Sequence, residues 1–204
     1  FALGITFINQ HLTLYSMVGE RKRDYPPTFS YHQPYWDYYR YINDYFSRCS
    51  YFLQQGRFAA DILVLHTIGS AWAVYEPEWE GRHFHGGGDR VRELDKGLDT
   101  TLRSLLASHY SYDFGDELIM ERHGEVVGDK MRVKDATYKV VVIPPSLNLA
   151  SSTFNLLKTF AQNGGKIVTI EKKPTMIDGE DSSELVEFLD AHALHAASPG
   201  VDDL

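Results

Sequence analysis

A single cysteine, Cys49, stands among the 204 residues, which excludes an internal disulfide framework and any site built from several thiolates. The compartment stays open, cytoplasmic or exported. Basic runs are equally scarce. The longest is Arg21-Lys22-Arg23, against a net charge of -8, so the counterion release that drives nucleic-acid binding has little to act on. Nucleic acid is not an expected partner. No apolar run approaches the roughly 18 to 20 residues that cross a bilayer, and no basic region leads into an apolar stretch with a cleavage site. A membrane partner is not expected either. No Cys or Ser sits between glycines just after a strand-like run, so a nucleophile elbow is missing.

What is present is ample apolar material. At 43% hydrophobic content the chain can build one large domain or two small ones. The opening Ala2-Leu3-Gly4-Ile5-Thr6-Phe7-Ile8 reads as a buried strand with nothing before it to pair with, and the chain is expected to be a fragment of a longer protein. Residues 25–52 hold 12 of the 27 aromatic residues. They run from a Pro26-Pro27 turn into a helix predicted over 34–55, where Tyr38, Ile42, Tyr45, Cys49 and Phe52 follow one helical face and Gly56 ends it.

Three short continuous apolar runs follow: Asp61–Leu65, Lys139–Ile143 and Lys166–Ile170. Strands of a parallel sheet, covered on both faces, read this way. Between the last two, Phe154, Leu157 and Phe160 make a helical stripe, Ser151, Ser152 and Thr153 offer N-cap oxygens, and Asn163-Gly164-Gly165 closes the unit. Leu98, Leu102, Leu105 and His109 form an earlier helical face before a strand at Tyr110–Phe114. The fold class is therefore α/β, an open, doubly wound, mostly parallel sheet whose ligand crevice lies beyond the carboxyl ends of its strands. Asp181-Ser182-Ser183-Glu184 resembles a capping box for a last helix through Leu189. The tail from His195 to Leu204 has the composition of a frayed end.

Several groups of residues could carry chemistry. Arg82-His83-Phe84-His85-Gly86-Gly87-Gly88-Asp89, expected to be a surface loop, pairs two histidines with an aspartate, but helical ligand pairs prefer spacings of three or four and no further ligand follows. No metal is expected. The glycines do not make a phosphate loop, because no Lys-Ser/Thr follows and no helix is expected to open there. Cys49 belongs to an apolar helix face and is expected to be packed. Asp113, Asp116 and Glu117 gather just after a strand, where paired carboxylates could serve glycoside hydrolysis, with Asp116 and Glu117 as the catalytic candidates. A solvated turn is the plain alternative. His11 and Tyr15 follow the opening strand, and Tyr31, His32, Tyr35 and Trp36 add ring faces suited to a sugar or, equally, to a seam between domains.

Three stretches together resemble the middle of large bacterial glycoside hydrolases of the α-L-rhamnosidase-like group. They are Phe7-Ile8-Asn9-Gln10-His11 with Pro34-Tyr35-Trp36, Tyr45 to Gly56 with Ala60 to Leu65, and Tyr112 to Glu117 with Tyr138 to Pro145. That resemblance implies that residues 1–59 are the last strand and helices of a (β/α)8 catalytic barrel. Residues 60–204 would be a flavodoxin-like domain similar to class I glutamine amidotransferases. It implies a carbohydrate substrate in the intact enzyme, other domains of the same chain as partners, compatibility with a homo-oligomer, and no cofactor. His11, Tyr15, His32 and Trp36 become the expected substrate contacts. Where amidotransferases carry a nucleophilic cysteine, past a strand like Lys166–Ile170, this chain has Glu171-Lys172-Lys173-Pro174, so amidotransferase chemistry is not expected. The isolated chain is expected to be inactive, the catalytic acids of such enzymes lying mostly on earlier barrel strands. A stand-alone, non-catalytic binding or oligomerisation module is the alternative.

Overall fold

The computed structural model describes residues 1, 3–11, 13–23, 28–80 and 83–198. Pro26, Pro27, Arg82 and the last six residues of the tail lie outside them. The chain divides into two units, Phe1–Phe58 and Ala59–Leu204.

The first unit is built around α1 (Trp36–Leu53), whose N-cap is Tyr35. A single 3-10 turn, Gly19–Lys22, precedes it. Residues 3–11 form no strand, in contrast to the sequence expectation, and Ile5, Phe7 and Ile8 are exposed. An apolar segment becomes a strand only where another strand pairs its N–H and C=O groups, and the described part of this unit supplies none. The helix expected over 34–55 forms, yet none of its residues is buried. Tyr38, Ile42, Tyr45 and Phe52 are all more than half exposed.

The second unit is an open sheet. In chain order its elements are β1 (Ile62–His66), α2 (Ile68–Ala73), β2 (Pro77–Glu80), β3 (His83–Gly86), α3 (Gly88–Ala107), β4 (Tyr112–Asp116) and α4 (Glu117–His123). Next come β5 (Gly124–Val127), β6 (Lys130–Val133), β7 (Ala136–Tyr138), β8 (Val140–Ile143), β9 (Asn148–Leu149) and α5 (Ser151–Gln162). The unit ends with β10 (Lys166–Ile170), β11 (Met176–Ile177), β12 (Glu180–Asp181), α6 (Ser183–His192) and β13 (Ala193–Ala196). Five strands pair side by side in the order β13-β10-β8-β1-β4, and every pairing is parallel. This is the flavodoxin-like strand order, with its reversal between β1 and β8.

Both faces of the sheet are covered at its centre, which is why β1, β8 and β10 are continuous apolar runs. Side chains alternate along a strand, so Leu63, Leu65, Val141, Ile143 and Ile167 enter one cluster with Met120, Phe154, Leu157, Phe160, Leu185 and Leu189 from α4, α5 and α6. Ile62, Val64, Val142, Val168 and Ile170 enter the other, beneath Leu98, Leu102 and Leu105 of α3. Each fully buried side chain of this kind contributes about 1.5 to 3 kcal/mol.

Five local expectations are corrected. A helix does open at the triple glycine: α3 starts at Gly88 behind an N-cap Gly87 at φ 119°, a conformation open to glycine. His83–Gly86 is a strand, paired antiparallel with Pro77–Glu80, and not a loop. The strand expected at Tyr110–Phe114 begins two residues later, because Tyr110 still donates its N–H to Leu105 O and His109 sits at φ 63° in the turn that ends α3. Between α4 and β8 the alternation of strand and helix gives way to a three-stranded antiparallel meander, β5-β6-β7, which buries Met131 and Tyr138 in the core. His195 and Ala196, expected to begin a frayed tail, belong instead to the fifth strand of the sheet, β13, in register with β10 from Ile167 opposite Ala193 to Ile170 opposite Ala196.

The turn between α5 and β10 is closed by Gly165, whose N–H bonds to Phe160 O at 2.8 Å. A Cβ there would lie 2.3 Å from the Phe160 ring, which is completely buried. Gly165→Ala should therefore destabilise the sheet unit by about 1 to 3 kcal/mol through overpacking. The check is the denaturant midpoint followed by circular dichroism, and an unchanged midpoint would contradict this packing.

Candidate functional site

A crevice of about 430 Å³ opens beyond the carboxyl ends of β1, β4 and β8, lined by Gly69, Trp72, Asp116, Glu117, Asn148 and Asp178 among others. The strand order dictates its place, since the connections on either side of the β1–β8 reversal leave in opposite directions.

Each wall is held by polar bonds between segments distant in sequence. Ser70, fully buried on α2, donates its hydroxyl to Asn148 O at 3.1 Å and accepts from Leu147 N and Asn148 N, both at 3.0 Å. Asn148 Oδ1 accepts from Gly179 N at 2.7 Å. The N-cap of α5 is Ala150, which has no side-chain oxygen, so the hydroxyls expected to cap this helix do not. Two carboxylates from elsewhere take that place. Glu117 Oε1 accepts from Ala150 N at 2.7 Å and Asp178 Oδ1 from Ser151 N at 3.0 Å. Unsatisfied N–H groups and the helix dipole make this an anion-binding end, and the chain fills it with its own anions.

Of the three carboxylates that stand close together in the sequence, Asp116 and Glu117 line the crevice and Asp113 does not. Asp113 accepts the Tyr138 hydroxyl at 2.9 Å, and burial together with that bond holds the tyrosine well above its ordinary pKa. Asp116 caps α4, accepting from Ile119 N at 3.0 Å. Only Glu117 is buried, at 8% exposure. Burial raises its pKa above the usual carboxylate value, with the Asp178 and Asp116 charges adding to the rise. The Ala150 N–H, bonded to its Oε1, opposes the rise.

The chain is similar in fold to part of a rhamnosidase. That protein, from Novosphingobium sp. PP1Y, aligns with a TM-score of 0.52 and 16% identity, over 87% of this chain and 16% of its own. The chain thus spans about one-sixth of that rhamnosidase's length. No protein-family model and no curated protein matches the sequence.

The remaining expected site residues fall in the first unit. His11 lines a groove of about 770 Å³ together with Asn9, Gln10 and Asn43. Two of its lining residues are held by side-chain bonds: Gln10 Nε2 donates to Tyr39 OH at 2.6 Å and Gln54 Nε2 to Thr6 O at 3.1 Å. Tyr15, His32 and Trp36 are not among its lining residues. Tyr15 is 95% exposed. His32 Nδ1 shares a hydrogen bond with Ser30 Oγ at 2.9 Å, its ring 4.0 Å from that of Tyr31, and Trp36 stacks on Tyr39. Among the described residues, no three His, Cys, Asp or Glu side chains gather as a metal site.

Trp72, Ser70, Asn148 and Asp178 were not anticipated from sequence. Of these only Asp178-Gly179 carries a recognisable signal, a turn dipeptide, and nothing in it says which helix Asp178 reaches.

Because the folded pKa of Glu117 is raised, the folded state holds this proton more tightly than the unfolded chain does. The stability it contributes is fully present below the ordinary carboxylate range and is lost as pH rises through the folded value. Glu117→Gln keeps an oxygen for Ala150 N–H and has no proton to lose, so its stability relative to the parent should climb across that window. Glu117→Ala leaves the N–H unpaired and should lose about 1 to 3 kcal/mol. Denaturant midpoints of all three proteins between about pH 4 and pH 8 read both effects. A parent and a Gln variant that track each other throughout would show that this carboxyl does not titrate where burial places it.

Proposed function

We propose that this chain is a segment of a glycoside hydrolase of the rhamnosidase-like group. Its sheet unit is an accessory module that helps to complete a site, and its first unit belongs to the catalytic part of the larger protein. The observation that carries the reading is the state of α1. Eighteen residues with a consistent apolar face bury none of them, and Leu3, Phe7, Tyr15 and Val18 are each more than two-thirds exposed. Apolar surface on this scale marks an interface. The likeness to a rhamnosidase supports a neighbouring domain of the same protein as the cover.

The sheet unit has no nucleophile of the amidotransferase kind. Glu171 follows β10 at φ 51°, on the exposed turn where such a cysteine would stand, and a carboxylate there cannot perform thiol chemistry. Asp116 and Glu117 already serve as a cap and a helix tie. In this reading they lend polar contacts at most, and the two carboxyl groups that glycoside hydrolysis requires lie elsewhere in the protein. His11, in its groove, is the proposed substrate contact of the first unit.

The test is hydrolysis of an aryl α-L-rhamnoside by the 204-residue chain and by a longer protein containing it. Turnover by the longer protein, with none by the chain alone, is expected. Turnover by the chain alone that Glu117→Gln abolishes would place the acids in the crevice. No turnover by either, with the chain stable and self-associating through the first unit, would favour the oligomerisation module instead.

A further inference from the structure

We infer that the crevice beside Trp72 is a binding subsite for a neutral, hydroxyl-rich ligand, a glycosyl unit. Its place rests on the crevice alone, and its ligand class on the glycosidase reading. Three features converge. Trp72, on the rim, is 67% exposed although it is the largest apolar side chain there. A free indole face beside polar groups suits the apolar face of a sugar ring.

On the floor, Glu117 and Asn148 each use one side-chain atom for structure and turn the other toward Gly69. Glu117 Oε1 is bonded to Ala150 N and Asn148 Oδ1 to Gly179 N. The remaining Asn148 Nδ2 and Glu117 Oε2 lie 3.2 Å and 3.7 Å from the point where a Cβ on residue 69 would stand. A donor and an acceptor thus both lie beside Gly69, which lines the crevice with them. A hydroxyl, which accepts one hydrogen bond while donating another, satisfies both.

The third feature sets the charge of the ligand. The start of α5, the element of this fold best suited to an anion, is occupied by Glu117 and Asp178, and Asp116 lines the same crevice. A phosphate or uronate would meet these carboxylates with its principal anion-binding amides already bonded. The pattern rejects anions and retains neutral polyols.

The experiment titrates the full chain with methyl α-L-rhamnoside and methyl β-D-galactoside, observed by saturation-transfer NMR. Inorganic phosphate and D-glucuronate serve as competitors. Expected is saturable binding of at least one neutral glycoside, weakened about tenfold or more by Trp72→Ala and not displaced by either anion. Trp72 is exposed, so the variant should fold, and circular dichroism checks that it does. Absence of saturable binding, binding unchanged in Trp72→Ala, or displacement by phosphate would each overturn the inference. Failure of the glycosidase reading is distinguishable, because it shows as absent rhamnoside hydrolysis in the longer protein whatever the chain binds here.

Discussion

A parallel strand has two faces to keep from water and no short way back to its neighbour, and the second unit follows from that constraint. Each return requires a crossover, and each crossover brings a helix that covers a face. Leu63 and Leu65 point to α4, α5 and α6, while Ile62 and Val64 point to α3. The order β13-β10-β8-β1-β4 then leaves one place, past the ends of β1 and β8, where connections diverge. The crevice is a consequence of covering the strands. Ser70, Glu117, Asn148 and Asp178 fix its walls by bonding backbone groups that the divergence would otherwise leave unpaired.

The first unit does not meet the same constraint from its own residues. Its helix is regular and its apolar positions follow a helical face, yet the described segments around it are turns and irregular backbone that bury nothing of α1. Isolated helices are marginal in water, and helices in proteins draw most of their stability from packing. The two units therefore stand in different relations to the rest of a protein. One carries its own core, and the other leaves the apolar face of its helix exposed, the face that the proposed function assigns to contact with a larger protein.

How much of this was legible in the sequence depended on how local the cause was. The strands near 61–65, 139–143 and 166–170 were visible because burial on both faces leaves an unbroken apolar run, and the α5 stripe because its period is local. β13 escaped notice because Ala193-Leu194-His195-Ala196 is an edge strand with Leu194 63% exposed, so its pattern resembles a polar tail. The caps of α5 were misassigned for a related reason. Ser151, Ser152 and Thr153 are cap residues by type, but the helix begins one residue early and its acceptors arrive from 33 and 27 residues away. Asp116 and Glu117 were recognisable from their place after a strand, whereas the burial that distinguishes Glu117 from Asp116 exists only in the fold. Residues 3–11 show the converse error: an apolar composition suggested a strand where no described partner strand exists.

The central claim is that the sheet unit is self-sufficient while α1 depends on surface supplied by a larger protein. Amide hydrogen exchange, compared between this chain alone and a longer protein containing it, tests that most directly. Slow exchange is expected in both for the strands bearing Val64, Val142 and Val168, and fast exchange along Tyr38–Phe52 that slows by orders of magnitude only in the longer protein. Slow exchange along Tyr38–Phe52 in the chain alone, or equally fast exchange there in both, would contradict it.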